Sequence, residues 1–424
     1  MKKQNRRTFL GNTLTGLMAG AAFPVLGRTS HAAPGDMVRH AVIGLGGQGT
    51  RHAQVFSSFP DCEVAVVCDV DPERRAKVGE RLPKARLEED YRRILEDDTI
   101  DSVSIATPDH WHTPLALAAL AAGKHVYVEK PCAQTIQEAK LLKDAAARSG
   151  KCVQQGTQGR SGASLRDAVA FMQEGGLGKI RLAKAINHQF REPIGRAPET
   201  DPPEGVNYDL WLGSAPKRPF TRNRWHYNWH WFWDYGSGDT GNDGIHQIDQ
   251  ARWGLGAGLP LNVTATGGQL FYDDDHETPD TLTAVYDYGD RQLIYEMRLW
   301  TDYPMEGHDN GVVFYGDKGR MDFGRKGCVA TFIGGETKEF GSYADIRDHI
   351  RNFLDCLKTG NPAGLNGGIA EGAVSTTLCQ LANISMRTGR RLTVDAESWE
   401  CVGDPEALRL FSREFRAGYE LPVV

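Results

Sequence analysis

The sequence predicts an α/β protein in two unlike halves: a doubly wound parallel sheet up to about residue 158, then a strand-rich α+β domain. Three observations carry that expectation. A Gly-x-Gly-x-x-Gly loop, made by Gly44, Gly46 and Gly49, lies between an apolar run and an amphipathic one. Strand-like and helix-like stretches then alternate as far as Gly150, and beyond it period-two stretches follow one another with few helices between them.

Residues 1–33 are set apart from that fold. "NRRTFLGNTLTGLMAGAAFPVLG" pairs Arg6 with Arg7, continues with Phe9 and Leu10, and runs on as a weakly apolar stretch rich in Gly and Ala. With "SHAA" at 30–33 as a small-residue cleavage site near Ala32, it resembles a twin-arginine export signal. The mature chain is therefore expected in the periplasm, or otherwise exported. No integral membrane segment is expected, since the run is Gly-rich and no later stretch offers the roughly eighteen uninterrupted apolar residues that a span needs. The whole chain carries 49 Lys and Arg against 55 Asp and Glu. Loss of Lys2, Lys3, Arg6, Arg7 and Arg28 on cleavage takes the net charge from −6 to −11, which argues against a nucleic-acid partner. The eight cysteines have no Cys-x-x-Cys pair, so neither a metal knuckle nor a dense disulfide framework is expected. Folding in a reducing cytoplasm before export leaves such thiols free.

Residues 34–158 read as the first domain. "VRHAVI" (38–43) is a buried strand, and the glycine loop after it opens a helix near Gln48. Gly44 permits the tight turn, Gly46 lets a pyrophosphate approach the backbone, and Gly49 lets the helix pack close to the strand. The helix N-terminus then faces the anion. A second strand, "CEVAVVCDVD", carries Asp69 twenty residues beyond Gly49, where a carboxylate accepts hydrogen bonds from the adenosine ribose and repels a 2′-phosphate. These features predict a Rossmann domain with NAD favoured over NADP. Arg74 and Arg75 read as exposed helix charges. "DSVSIATP" is the next strand, Thr113 caps a helix before Pro114, and "KHVYVEKP" with "TIQEAKLLKDAAARSG" completes the alternation. Ligands bind beyond the carboxyl ends of such strands, which brings Thr107, Pro108, Glu129 and Lys130 to the cofactor, with Gln48 in the loop. His112 is a further candidate there, although as loop residues beside a helix cap it and His110 read first as structural histidines. Lys130, braced by Pro131, is expected to aim its ammonium at the crevice that holds the nicotinamide ring.

Residues 159–424 read as the second domain. "IRLAKAINHQF", "NVTATGGQLFYD", "TLTAVYDY", "QLIYEMRLWT" and "GVVFYGDKGRMDF" are its strands. "WDYGSGDTGNDGIHQID" (233–249) enters a helix on which Asn242, His246 and Asp249 share a polar face, with Ile245 and Ile248 on another. "NRWHYNWHWFWDY" places four of the nine tryptophans within residues 225–235. Aromatic faces stack on sugar rings while polar edges meet hydroxyls, so Trp225, His226, Tyr227 and His230 are candidate substrate contacts. The stretch does not read as a helix that would aim His226 and His230 together, and no metal site is expected.

"VIGLGGQG", "ATPDHWH", "VYVEKP" and "GNDGIHQID", in that order, resemble the glucose-fructose oxidoreductase, inositol dehydrogenase and MocA family (Gfo/Idh/MocA), and the resemblance runs on through "HIRNFLDCLKTGNP" to "DPEALRLFSREFRAGYELP". It implies a Rossmann domain followed by a domain with an open, mostly antiparallel sheet, a homo-oligomer, and oxidoreduction of sugar or polyol hydroxyls. By resemblance Lys130 hydrogen-bonds the reacting hydroxyl and His246 exchanges its proton. That chemistry needs a base near neutrality and a cation that steadies an alkoxide. One position departs: the family commonly has an aspartate four residues before the histidine, where this chain has Asn242. Asp243 or Asp239 is then the candidate replacement charge.

The leading expectation is an exported oxidoreductase acting on CH–OH groups of a carbohydrate or polyol. Outside the cytoplasm there is no large free dinucleotide pool, so the NAD is expected to be tightly bound and recycled in place. The alternative is a glycosidase or lyase that oxidises a ring hydroxyl transiently and restores its cofactor. A second alternative is a sugar-binding relative without catalysis, against which the retention of both Lys130 and His246 weighs.

Overall fold

The computed structural model describes residues 37–325, 327–341 and 345–424. The twin-arginine stretch at residues 1–33 lies outside the described residues. The first sheet alternates with helices in chain order: β1 Val38–Ile43, α1 Gly47–Ser57, β2 Cys62–Cys68, α2 Pro72–Gly79, β3 Arg86–Glu88, α3 Arg92–Leu95, β4 Ser102–Ile105, α4 Asp109–Ala121, β5 His125–Val128, α5 Ile136–Ser149 and β6 Val153–Gln155. Its six strands run parallel in the order β3-β2-β1-β4-β5-β6. The order reverses between β1 and β4, and the crevice beyond their carboxyl ends is where such a sheet binds its ligand. β4 and β5 are buried along their whole length, as strands covered by helices on both faces are.

The second part begins with α6 Ala163–Gln173, β7 Ile180–His188, α7 Tyr208–Leu212, α8 Gly238–Asn242 and α9 Gly244–Leu255. Seven strands follow: β8 Asn262–Gly268, β9 Thr281–Asp287, β10 Gln292–Arg298, β11 Asn310–Gly316, β12 Gly319–Gly324, β13 Gly327–Phe332 and β14 Thr337–Glu339. The chain ends its ordered elements with α10 Ile346–Thr359, α11 Ile369–Thr388, β15 Leu392–Asp395, β16 Glu400–Cys401 and α12 Pro405–Arg409. The sheet order is β14-β13-β12-β11-β7-β10-β9-β8-β15-β16. β7 and β10 run parallel and the other pairs antiparallel, so the sheet is open and mostly antiparallel. Leu282, Ala284 and Tyr286 of β9 are buried and alternate with part-exposed neighbours, the pattern of a sheet with one covered face. α9 and α11 lie on that face.

α10 returns to the first sheet. Its Phe353 packs edge-on against Phe56 of α1 and Tyr127 of β5, in a core that includes Ile350 and Leu354.

Two local expectations fail for physical reasons. Thr113 does not cap a helix: α4 starts at Asp109 and carries Thr113 and Pro114 inside it. Pro114 has no N–H to offer the His110 carbonyl, and that oxygen accepts instead from Ser214 Oγ (3.1 Å) and Arg413 Nη2 (2.8 Å). The helix expected to carry Asn242, His246 and Asp249 on one face is broken at Asp243, between α8 and α9. The glycines around the break allow close approach: a Cβ on Gly244 would stand 2.1 Å from Tyr295 Oη, and one on Gly241 2.6 Å from Ser237 Cβ. All eight cysteines are buried and free. Among the described residues no helix is long and apolar enough to cross a membrane.

Candidate active site

A cavity of about 520 Å³ reaches from the β1–α1 turn to the α8–α9 junction, a size that suits a small ligand or cofactor. At its first end Gly44 has φ +87°, and a Cβ there would stand 2.6 Å from Ala106 O. A Cβ on Gly49 would stand 1.7 Å from Gly44 O, so helix and strand meet this closely because both positions are glycine. Gly46 and Gly47 line the cavity itself. The start of α1 therefore offers backbone N–H groups to an anion, and the cradle fits a dinucleotide pyrophosphate. Asp69 sits at the end of β2, its Oδ2 accepting from Leu45 N–H (2.6 Å) and its Oδ1 from Asp71 N–H (2.9 Å). Burial raises its pKa against those two bonds. Each oxygen keeps lone-pair capacity for a ribose hydroxyl. Arg74 lines the cavity rather than standing in solvent, and Arg75 turns inward to the Asp69 carbonyl.

Thr107 and Pro108 form the wall where β4 ends. His112 lies there too, but Nδ1 meets Pro131 O (2.6 Å) and Nε2 meets Thr107 O (2.8 Å), so the ring braces two strand ends. His110 turns to Trp211 O (3.0 Å), and burial takes its pKa down to about 3. Glu129 Oε1 accepts from Gln48 Nε2 (3.0 Å) and meets His52 Nε2 (2.9 Å). Burial opposes its ionisation, but the His52 and Lys130 charges and these hydrogen bonds hold its pKa at about 2.

The far end holds Lys130, Asn242 and His246. The break at Asp243 explains how. His246 N–H bonds to Asp243 O (3.0 Å), and the Asn242 carbonyl accepts the Lys130 ammonium at 2.6 Å, with Asn242 Oδ1 at 3.3 Å. Asn242 thus orients Lys130 and does not share a helical face with His246. Burial, then the Lys130 charge, lowers the His246 pKa to about 4, and Glu129 and Asp249 offset part of this. The ring is neutral over the physiological range.

The two candidate replacement charges are spent elsewhere. Asp239 is buried and accepts from Asn242 Nδ2 (2.9 Å), Asn187 Nδ2 (2.9 Å) and Arg191 Nη2 (3.1 Å). Asp243 accepts from Asn310 Nδ2 (2.6 Å) and from Gln189. Asp249, expected beside His246, is gripped by Arg160 through two nitrogens and by Ser375 Oγ (2.6 Å).

The aromatic segment divides. Tyr227 lines the cavity half-exposed, and its hydroxyl accepts from Asn242 Nδ2 at 3.3 Å. His230 lines it too, stacked on Trp229 at 3.6 Å between centroids, with burial lowering its pKa to about 3. Trp225 also lines the cavity, buried against Trp211 (5.3 Å) and Phe220 (5.6 Å). His226 is not at the Lys130 end. Its backbone has φ +52°, and Nε2 stands 3.6 Å from Asp71 Oδ2, beside the Asp69 end. Among the described residues no group of three or more His, Cys, Asp or Glu is placed to hold a metal ion. Sequence reasoning missed Trp111, Leu210 and Trp211 of the wall, and the Arg160–Asp249 pair below it. None carries a spacing signal, because tertiary packing alone brings them together.

Comparison with known proteins bears on the family and the fold. Residues 38–157 match a Gfo/Idh/MocA family model described as an oxidoreductase family, NAD-binding Rossmann fold. Residues 192–421 match its companion, described as an oxidoreductase family, C-terminal alpha/beta domain. The chain is 35% identical over 125 residues to a glycosyl hydrolase family 109 protein of Shewanella pealeana, covering 27% of this chain and 27% of that relative. It is 30% identical over 263 residues to the uncharacterized oxidoreductase YdgJ of Escherichia coli, covering 61% of this chain and 64% of that one. These matches span between about a quarter and two thirds of the curated relatives' length. In fold the chain is similar to the WlbA dehydrogenase from Bordetella pertussis, solved with NADH and UDP-GlcNAcA, with a TM-score of 0.63 and 21% identity over 85% of this chain and 99% of that one.

Proposed function

Because the chain belongs to the Gfo/Idh/MocA oxidoreductase family, we propose that it oxidises and reduces a hydroxyl-bearing carbon of a sugar or polyol at the Lys130–His246 end of the cavity. The observation that carries this reading is the placement of the Lys130 ammonium, held by the Asn242 carbonyl, and of His246 on the wall of the cavity that also holds the glycine loop. NAD bound there supplies a hydride acceptor, and NADH a donor. Lys130 binds the substrate oxygen and steadies the negative charge it gains as its proton leaves, a charge that is discharged into the carbonyl when the carbon gives up hydride. His246, neutral, takes the proton from that oxygen in oxidation and returns it in reduction. Tyr227 and His230 meet the remaining hydroxyls, and Trp229 offers a ring face to the sugar. The test is single-turnover oxidation at 340 nm across a panel of aldoses, amino sugars and polyols; no absorbance change with any of them sinks the reading.

The pair Arg6 and Arg7 supports export by the twin-arginine route. An exported enzyme of this kind keeps its cofactor tightly bound and recycles it with a second substrate. The reading includes a homo-oligomer. Similarity to a glycosyl hydrolase family 109 protein supports a second, redox-neutral reading. In it the transient ketone acidifies the neighbouring C–H, elimination expels the glycosidic oxygen, water adds to the resulting unsaturated ketone, and the return of hydride to the ketone carbon leaves no net redox. Release of nitrophenol from a nitrophenyl glycoside, without accumulation of NADH, selects this reading over the first.

A further inference from the structure

We infer that Asp71, Arg74 and His226 form a clasp over the adenosine half of the bound dinucleotide, so that the cofactor leaves only when the 222–231 segment moves away from α2. The inference rests on the reading that a dinucleotide fills the cavity, and not on which sugar is the substrate.

The two sides of the clasp come from different parts of the chain. Asp69 marks the adenosine ribose end of the cavity. Asp71 follows it as the N-cap of α2, accepting from Glu73 N–H and Arg74 N–H, so its carboxylate is fixed in place. Arg74, in the first turn of α2, lines the cavity, and its Nη1 stands 3.2 Å from where a Cβ on Gly46 would be. The guanidinium therefore lies across the glycine loop, where it faces the phosphates of any dinucleotide held there. From the other side comes His226, which also lines the cavity. Its Nε2 is 3.6 Å from Asp71 Oδ2, and Arg74 Nε is 3.8 Å from the same oxygen. One carboxylate is shared by both arms.

The His226 arm is built, and its conformation is costly. A histidine at φ +52° sits in a backbone region that side chains with a Cβ rarely adopt, and it stays there only where surroundings enforce it. The enforcement is visible: the ring lies 4.6 Å from the Trp225 ring, and Trp225 is locked among Trp211, Phe220 and Tyr208. Burial and the Arg74 charge lower the His226 pKa to about 4, with Asp71 opposing, so at neutral pH the contact is a neutral ring against a carboxylate. Such a contact can open without separating a full ion pair.

The experiment measures release of NADH, and separately of ADP-ribose, from the purified full chain by stopped-flow displacement with excess unlabelled NAD. Two variants are used. His226→Gly removes the ring at a position whose φ glycine adopts freely, and Asp71→Asn removes the shared charge while asparagine still caps α2. Each should release both ligands about tenfold faster, with the ligand-free melting temperature moving by no more than about 2 °C. ADP-ribose is decisive because it lacks the nicotinamide and reports on the adenosine half alone. Unchanged release from both variants overturns the clasp, as does acceleration of NADH without acceleration of ADP-ribose. Wild-type protein that binds neither ligand overturns the clasp together with the dinucleotide reading, whereas tight binding with unaltered release overturns the clasp alone.

Discussion

His246 is held in its neutral form by burial and by the ammonium of Lys130, and a neutral imidazole is what a proton acceptor must be. With its pKa at about 4, hydride transfer from substrate should stay level through neutral pH and fall as the pH drops through about 4, where the ring becomes protonated; a single-turnover pH series reads this directly. His246→Ala should slow hydride transfer by about two to four orders of magnitude with cofactor binding and melting nearly intact, and Lys130→Ala should do the same. Full single-turnover activity in His246→Ala would leave the histidine no more than a brace. Asn242→Asp puts a carboxylate where Asn242 Oδ1 now lies 3.3 Å from Lys130 Nζ and where Nδ2 bonds Asp239 at 2.9 Å. The Lys130 ammonium beside it favours the ionised form of the new carboxylate, whose negative field raises the His246 pKa and moves the acidic limb of the profile toward higher pH. Asp243→Asn should leave that limb where it is, because Asp243 is engaged by Gln189 and Asn310.

At the scale of elements, the α8–α9 break turns a backbone irregularity into a lysine site. A continuous helix would use the Asn242 carbonyl internally; the break leaves it to accept the ammonium. Gly244→Ala tests how tightly the break is held. Its Cβ would fall 2.1 Å from Tyr295 Oη, so overpacking should destabilise the protein by about 1–3 kcal/mol, read as a lower urea midpoint at unchanged slope. Periodicity made the helix after Asp243 legible, and Ile245 and Ile248 are fully buried as their spacing implies. The break was not legible, because the close approach made there, of Gly244 to Tyr295 on β10, joins residues far apart in sequence. Thr113 misled for a similar reason: Ser214 and Arg413 supply the hydrogen bonds that let Pro114 sit inside α4. The glycine loop was legible because each of its spacings answers to a local steric demand. His226 was not, since nothing local announces a positive φ that turns a histidine toward another part of the chain.

Across the whole molecule, burial depresses the pKa of His40, His110, His112, His226, His230, His246 and His349 below 6.5. A group whose folded pKa lies below its unfolded one gives stability that is complete above the unfolded value and is lost as the pH falls toward the folded one. Asp109, raised by burial to about 7, works the other way as the pH rises from 3.8, as do Asp69 and Asp239. The histidines outnumber them, so the urea midpoint should decline steadily from pH 6.5 to about 4; a midpoint that rises over that interval would contradict this balance. The two-part architecture was legible from its alternations, but the return of α10 to the first sheet was not, because an amphipathic helix does not declare which sheet it will cover. That return bears on synthesis. A ribosome delivers β1 to β6 well before Phe353 can cover Phe56 and Tyr127, and before Arg413 can bond the carbonyl freed by Pro114. The nascent first sheet therefore waits with an open flank, and becomes native when translation is almost over. A chain cut short before α10 therefore keeps Phe56 and Tyr127 without the ring that covers them.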